Sequence, residues 1–462
     1  MSHITASRWP QHVSRLVLYV ILLAYIGLGT LYATHTPAWQ VPDEPAHYNY
    51  IRAIVEQHAL PVLQAGDYDE AYLNQLKSQL FPPNLPVSGI RYEGWQPPLY
   101  YLLAAPVFAA TGGSLIAVRL FTLLLGCFVI GLTWRLARAT VPGAPGVALV
   151  AAGFVAFLPQ HLAMSAAANN DALTEVFIVL ELWLLARAVL AVGGGGREWP
   201  LLGLALGLGF LTKLTAYPMA GLIAVALLLV TRRHGWTVPR FVTAAAQVYV
   251  PAISLGSLWW VRNLVVYGGL DFLATTKHDS IVVGQLRTAE ALARWGVPLY
   301  LHNFFQTTFQ SFWGQFGWMG VVMDQRVYLA LLVYSAGLLV GWAGAVMAFR
   351  RAGGQLRPEQ RDWLALLALA VGLAGLVYLY YNLTFVQFQG RYLYPALPVL
   401  ALGAALALRQ WARWLTAWMP TGQAGRRRLA VWALPLVPIA LMAALDLFAL
   451  YRFILPALTR PS

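Results

Sequence analysis

Long, nearly uncharged apolar runs recur from one end of this chain to the other, and they restrict its fold more than any other feature. Leu222–Val230 with its flanks, and Ala365–Tyr381, approach the roughly 20 apolar residues that cross a bilayer. Of the 462 residues, 59% are hydrophobic and only 11% are charged. Soluble domains carry about 25% charged residues, so these side chains cannot coat a water-facing surface. Lipid must solvate most of this one. The expected architecture is an all-α polytopic membrane protein, with residues 1–462 as a single membrane domain. The first run, about Leu16–Ala33, is too long for a signal-peptide core, and no small-residue cleavage site follows it. It should persist as an anchor. The single Cys127 excludes intrachain disulfides and cysteine-based metal centres.

The apolar pattern predicts eleven spans, near 15–34, 114–134, 146–165, 171–192, 200–212, 216–231, 239–261, 326–349, 363–382, 391–408 and 429–453. Gln96–Thr111 is a further apolar stretch, too short for an ordinary span, and its status sets the sidedness of everything after it. Cytoplasmic loops are enriched in Lys and Arg. If Gln96–Thr111 does not cross, one face collects 18 of the 31 basic residues and three of the 18 acids, and the other face is neutral. If it crosses, the clusters at Arg233, Arg351 and Arg428 all fall outside. Gln96–Thr111 therefore reads as a re-entrant or interfacial helix, and Ser462 is expected outside. The same distribution accounts for the net charge of +13. No basic run is interleaved with aromatics on a polar face, so nucleic acid is not an expected partner. Two long segments remain outside: residues 34–113, with short amphipathic helices, and residues 262–325, whose tail Phe304–Met323 suits an interfacial helix. The inverted halves common in transporters are not evident.

Chemistry-bearing residues gather on that outer face. Val41-Pro42-Asp43-Glu44-Pro45-Ala46-His47 follows the first span, and its paired acids sit between prolines at the lipid boundary. Low dielectric there favours a raised carboxyl pKa and a general base near neutral pH. Asp43 or Glu44 as a helix N-cap, with Pro45 next, is the competing structural role. Asn169-Asn170-Asp171 opens a later span, where Asp171 could equally be a cap. Trp95-Gln96-Pro97-Pro98-Leu99-Tyr100-Tyr101 opens the re-entrant helix, where prolines and aromatics also suit a helix start in an aromatic belt. Lys213, Arg262 and Arg391 are the outer-face cations. Each could be a snorkelling anchor, yet Lys213 has no acid near it in sequence, and a lipid phosphate or pyrophosphate is a natural partner for such charges.

Taken in order, PDEPAH after the first span, WQPPLYY, NND, FLTK, WWVRN and QGRYLYPALP resemble the GT-C membrane glycosyltransferases. The bacterial branch related to aminoarabinose transferases and protein mannosyltransferases is the most similar. The resemblance covers most of the chain. It implies a GT-C fold with a large first outer loop and catalysis at the extracytoplasmic face of a bacterial plasma membrane. It also implies a polyprenyl-phosphate-linked sugar donor and a glycan, lipid or protein acceptor offering a hydroxyl or amine. Asp43 matches the first-loop acid, the expected base for transfer with inversion, with Glu44 its catalytic neighbour. Donor and phosphate contacts are expected from Lys213, Arg262, Arg391, Tyr392 and Gln96. Acceptor and sugar contacts are expected from His47, Trp95, Tyr100, Asn170 and Asp171.

The sequence also departs from that family. Aminoarabinose-type members carry Lys before the two prolines, where this chain has Gln96, so that phosphate contact must come from elsewhere. No Asp-x-Asp pair stands in the PDEPAH segment just after the first span; a divalent metal is possible but not favoured, and no cofactor is expected. The soluble carboxy-terminal domain of oligosaccharyltransferases is absent, and transfer by their sequon mechanism is not expected. A monomer embedded in membrane lipid is the simplest assembly. A lipid-linked oligosaccharide or wall-polymer ligase and a non-enzymatic lipid-sugar flippase are the alternatives.

Overall fold

The computed structural model describes residues 11–420 and 423–459; Ser462, expected outside, lies beyond them. All eleven predicted spans coincide with helices. Among the described residues, eight helices are long and apolar enough to cross a membrane, or nine if one bent pair counts as a span. The eight are His12–His35, Leu115–Thr140, Leu214–His234, Val238–Tyr267, Gln325–Arg351, Pro358–Thr384, Gly390–Leu415 and Ala424–Leu458. The bent pair is α6 (Pro145–Ala156) and α7 (Pro159–Ser165), which meet at 64°. Pro159 disfavours helical backbone at Leu158, which is extended. The remaining two predicted spans fall short for different reasons. Helix α8 (Asp171–Leu190) carries Asp171, Glu175, Glu181 and Arg187 within its 20 residues. Helix α9 (Glu198–Phe210) has only 13 residues, about 20 Å at 1.5 Å per residue, less than a bilayer core.

The interior is built on α6, α8 and α5 (Leu115–Thr140). Every residue of α6 from Val147 to Ala156 is buried. Helix α9 lies close against α11 (Val238–Tyr267). A Cβ at Gly203 would stand 2.5 Å from the carbonyl oxygens of Gln247 and Val248. Gly203 and Gly207 thus form the small-residue stripe that lets membrane helices approach through their backbones.

The outer end carries its own apolar core. Helices α2 (Glu44–Gln57) and α3 (Glu70–Ser78) belong to the first outer segment. Ala46, Leu63, Leu73, Leu76, Phe81 and Trp95 from that segment pack with Val282 of the second. Helix α4 (Leu99–Ala110), the expected re-entrant helix, has 12 residues and touches α2 at both ends. The Tyr50 hydroxyl donates to the Gln96 carbonyl just before α4, and the Tyr48 hydroxyl donates to the Gly113 carbonyl just after it. The 12 residues of α4 span about 18 Å at 1.5 Å per residue, less than a bilayer core. In the second outer segment, Phe304–Met323 is not one interfacial helix. The helix stops at Trp313, and Gln315–Phe316 pairs antiparallel with Val321–Val322 as a small hairpin. Gly314, Gly317 and Gly320 interrupt the helical pattern there.

Candidate active site

The turn Val41–Glu44 separates two adjacent acids completely. Asp43 has φ of 68°, a left-handed backbone that is uncommon outside glycine. It occupies the N-cap position of α2, yet its side chain makes no cap hydrogen bond. Its carboxylate instead accepts from Nη2 of Arg391 at 2.8 Å and from the Tyr92 hydroxyl at 2.7 Å. Glu44 points the other way and is fully buried. Nε and Nη2 of Arg119 donate to its two oxygens at 2.7 and 2.6 Å, and the Trp39 and Ala168 amides add further bonds. Arg119 also donates to the carbonyls of Ala33, Thr36 and Pro37. That bidentate pair ties the end of α1 (Gln11–His35) to α5 and α2.

A second ion pair stands beside the first. Lys213, which has no acid near it in sequence, pairs with Asp171 at 2.6 Å. Asp171 is not the cap of α8; the Asn169 side chain accepts from the Asp171 amide instead. His47 lies amid this group. Burial and the Lys213 charge push its imidazole down to about 3, against the opposing pull of Asp43 and Asp171. It is therefore neutral, with Nδ1 2.8 Å from the Tyr101 hydroxyl. Burial alone would raise the Asp43 carboxyl. The Arg391 charge and hydrogen bond, with help from the Tyr92 hydroxyl, outweigh burial and hold it below the usual carboxylate range. The expected raised carboxyl is therefore not found at Asp43.

It is found at Glu93. Burial and the nearby Asp43 charge raise this acid to about 7, while Lys213, His278 and a hydrogen bond from Gln96 pull the other way. Oε2 of Glu93 is buried without a hydrogen-bond partner. Gln96 is buried in the same cluster, and its side-chain oxygen lies 3.5 Å from Nδ2 of Asn170, which also donates to the Thr212 carbonyl. Trp95 sits against the His278 ring at 4.6 Å, and its indole N–H has no partner. Tyr392 flanks Arg391, with the guanidinium 5.4 Å from its ring centre.

Two expected contacts fall elsewhere. Tyr100 is fully buried and its hydroxyl bonds Thr122 at 2.6 Å; it packs α4 on α5 and offers no ring face to a sugar. Arg262 donates to the Pro61 carbonyl and to Asn263, and lies over the Trp259 ring at 4.5 Å. It straps the first outer segment to α11. Arg119, Tyr92 and Glu93 were not singled out from the sequence. Arg119 had a signal, being a charge set in the apolar first half of α5, well before Arg135 and Arg138 at its other end. Tyr92 and Glu93 had only their closeness to Trp95. Among the described residues, no group of three His, Cys, Asp or Glu side chains is arranged to hold a metal ion.

Residues 95–260 match the family model of dolichyl-phosphate-mannose-protein mannosyltransferases. The fold resembles ArnT from Cupriavidus metallidurans, solved bound to undecaprenyl phosphate, with TM-score 0.50 and 16% identity over 97% of this chain and 74% of that one. The fold is thus GT-C-like, and the family match is confined to residues 95–260. A second structure of similar fold, the oligosaccharyltransferase of Archaeoglobus fulgidus tethered to an acceptor peptide, gives TM-score 0.55 and 13% identity. It is matched over 95% of this chain and 55% of its own length. The same archaeal enzyme, AglB, is also similar in its complex with an inhibitory peptide and a dolichol-phosphate, at TM-score 0.51 and 13% identity over 95% of this chain and 56% of that one. No curated protein sequence matches. The stretch matched by the family model includes Trp95, Gln96, Arg119, Asp171 and Lys213, whereas Asp43, Tyr92, Glu93 and Arg391 lie outside it.

Proposed function

We propose that this protein transfers a sugar from a polyprenyl-phosphate donor to an acceptor hydroxyl or amine, at the extracytoplasmic face of a bacterial plasma membrane. The observation that carries this reading is the pairing of Asp43 with Arg391 beside the pair Asp171–Lys213, all at one end of a GT-C helical fold. Two acids and two cations in a half-buried cluster supply a proton acceptor and an anion site together. Undecaprenyl phosphate in ArnT and dolichol-phosphate in AglB support a lipid-phosphate donor by analogy of fold.

In this mechanism the donor phosphate draws Arg391 and Lys213 toward itself, since phosphate competes well for guanidinium donors. Asp43 then loses its strongest counter-charge and becomes more basic. It removes the acceptor proton as the acceptor oxygen or nitrogen attacks the anomeric carbon from the opposite side. The bond to the lipid phosphate breaks with inversion, and the charge growing on the leaving oxygen is met by the two cations. Trp95 and Tyr392 flank the sugar, and Asn170 with Gln96 offers it amide groups. Glu44 is assigned the structural role of fixing the Asp43 turn through Arg119. The reading requires no metal.

The test is transfer itself. The purified protein in nanodiscs is given a radiolabelled polyprenyl-phosphate sugar and an extract of the cell's own glycoconjugates. Label should move to an acceptor with the wild type and not with Asp43→Asn. Glycoconjugates of a deletion strain, compared by mass spectrometry, should lack one sugar substituent. An unchanged glycoconjugate profile together with no label transfer overturns the enzyme reading.

A further inference from the structure

Of the three acids Asp43, Asp171 and Glu93, Glu93 is the one without an ion-pair partner among the described residues. Asp43 pairs with Arg391 and Asp171 with Lys213. Glu93 has neither, and its Oε2 is buried with no partner at all. The groups facing it are Asp43 from the turn before α2, Lys213 from the loop after α9, His278 from the short helix Thr275–Ile281, Tyr101 from α4, Tyr381 from the helix Pro358–Thr384, Tyr392 from the turn Gly390–Ala396, and Tyr92 and Gln96 from its own loop. The positive charge among them, Lys213, is already held by Asp171. An ionised Glu93 would therefore add an uncompensated negative charge to a pocket that has to admit a phosphate.

We propose that Glu93 serves the donor site as a neutral carboxylic acid, donating a hydrogen bond from its free oxygen to the donor's phosphodiester, so that donor binding requires the proton on Glu93. This rests on the glycosyltransferase reading and adds to it a residue that selects an anionic donor. A carboxyl group can replace a cation in this way only if its proton stays on. Burial together with the repulsion from Asp43 holds the proton there near neutral pH. Gln96 joins Glu93 to Asn170. The site thus meets the phosphate with an acid O–H and amides in place of a third fixed charge. No covalent step is involved; the proton moves between solvent and Glu93 as donor binds and leaves.

The probe is methyl undecaprenyl phosphate, a phosphodiester whose single charge does not titrate near neutrality, measured against the full chain in nanodiscs. For the wild type, affinity should fall about tenfold between about pH 6 and about pH 8, as the proton is lost. Glu93→Gln keeps a hydrogen-bond donor that cannot ionise, so its affinity should be flat over that range and match the wild type at the acid end. His278, whose ring lies against Trp95 beside the site, is replaced in the second variant, and His278→Gln should retain the wild-type slope. Wild-type binding that does not change with pH overturns the proposal, as does a slope that survives in Glu93→Gln or disappears in His278→Gln. Failure of the wild type to bind the lipid at any pH would remove the donor reading as well, which separates the two outcomes.

Discussion

Asp43 and Arg391 are 348 positions apart in the chain and 2.8 Å apart in the site. The contact joins the turn after the first membrane helix to the 3₁₀ turn Gly390–Ala396, which leads into one of the last spans. It closes the cluster across nearly the whole length of the protein, and it pairs the proposed base with a proposed phosphate ligand.

Asp43→Asn should abolish transfer without abolishing donor binding. Loss of a general base costs about 10²–10⁴-fold in rate. Because Arg391 is released from its carboxylate, the variant should bind a lipid phosphate at least as tightly as the wild type. Turnover assays paired with lipid binding by native mass spectrometry check both statements, and normal turnover would reduce the PDEP motif to a helix start.

Glu44 should report on stability instead of chemistry. Removing one partner of a buried ion pair typically costs about 3–5 kcal/mol, so Glu44→Gln and Arg119→Met should each lower the unfolding temperature in detergent markedly. The double variant should recover part of the loss, since neither charge is then stranded. A stable Glu44→Gln protein that is inactive would instead place Glu44 in the reaction.

Arg391→Gln and Lys213→Gln should weaken lipid-phosphate binding. Hydrogen bonds to charged groups contribute about 1.5–3 kcal/mol, or roughly ten- to a hundredfold in affinity. Arg262→Gln should leave that affinity nearly unchanged and loosen the outer segment near Pro61, which limited proteolysis can detect. Equal losses in all three variants would argue for a general electrostatic effect.

Stability should depend on pH through Glu93. Its folded-state pKa, raised to about 7, exceeds that of an unfolded glutamate, so the folded protein binds the extra proton between roughly 4.3 and 7. The wild type should therefore lose stability as pH rises through that window. Glu93→Gln should be more stable than the wild type at about pH 8 and gain little at about pH 5. Thermal melts at the two pH values decide it.

Cysteines placed in Gly193–Gly196 and Arg426–Arg428 should be labelled only from the cytoplasm, and one at Ser462 only from outside. Cytoplasmic labelling at Ser462 would mean that α4 or another short helix crosses after all.

The sequence alone was enough to establish a helical membrane protein and where its apolar helices lie. Apolar runs are local, and lipid imposes one length rule on all of them. Asp43, His47, Asp171, Lys213 and Arg391 were legible because a charged or polar group at an apolar boundary is costly and stands out. Which acid meets which cation was not legible. Asp43 and Glu44 are neighbours with the same surroundings in sequence, and only the left-handed backbone at Asp43 sends one toward Arg391 and the other toward Arg119. The carboxyl pKa order was inverted for the same reason: low dielectric raises every buried acid, and the cation packed beside it, a matter of tertiary structure, decides which one stays raised. Tyr100 and Arg262 matched their motifs equally well, yet packing put one in the core and made the other a strap. Motifs state which groups a segment offers; the direction each one faces is set by helices hundreds of residues away.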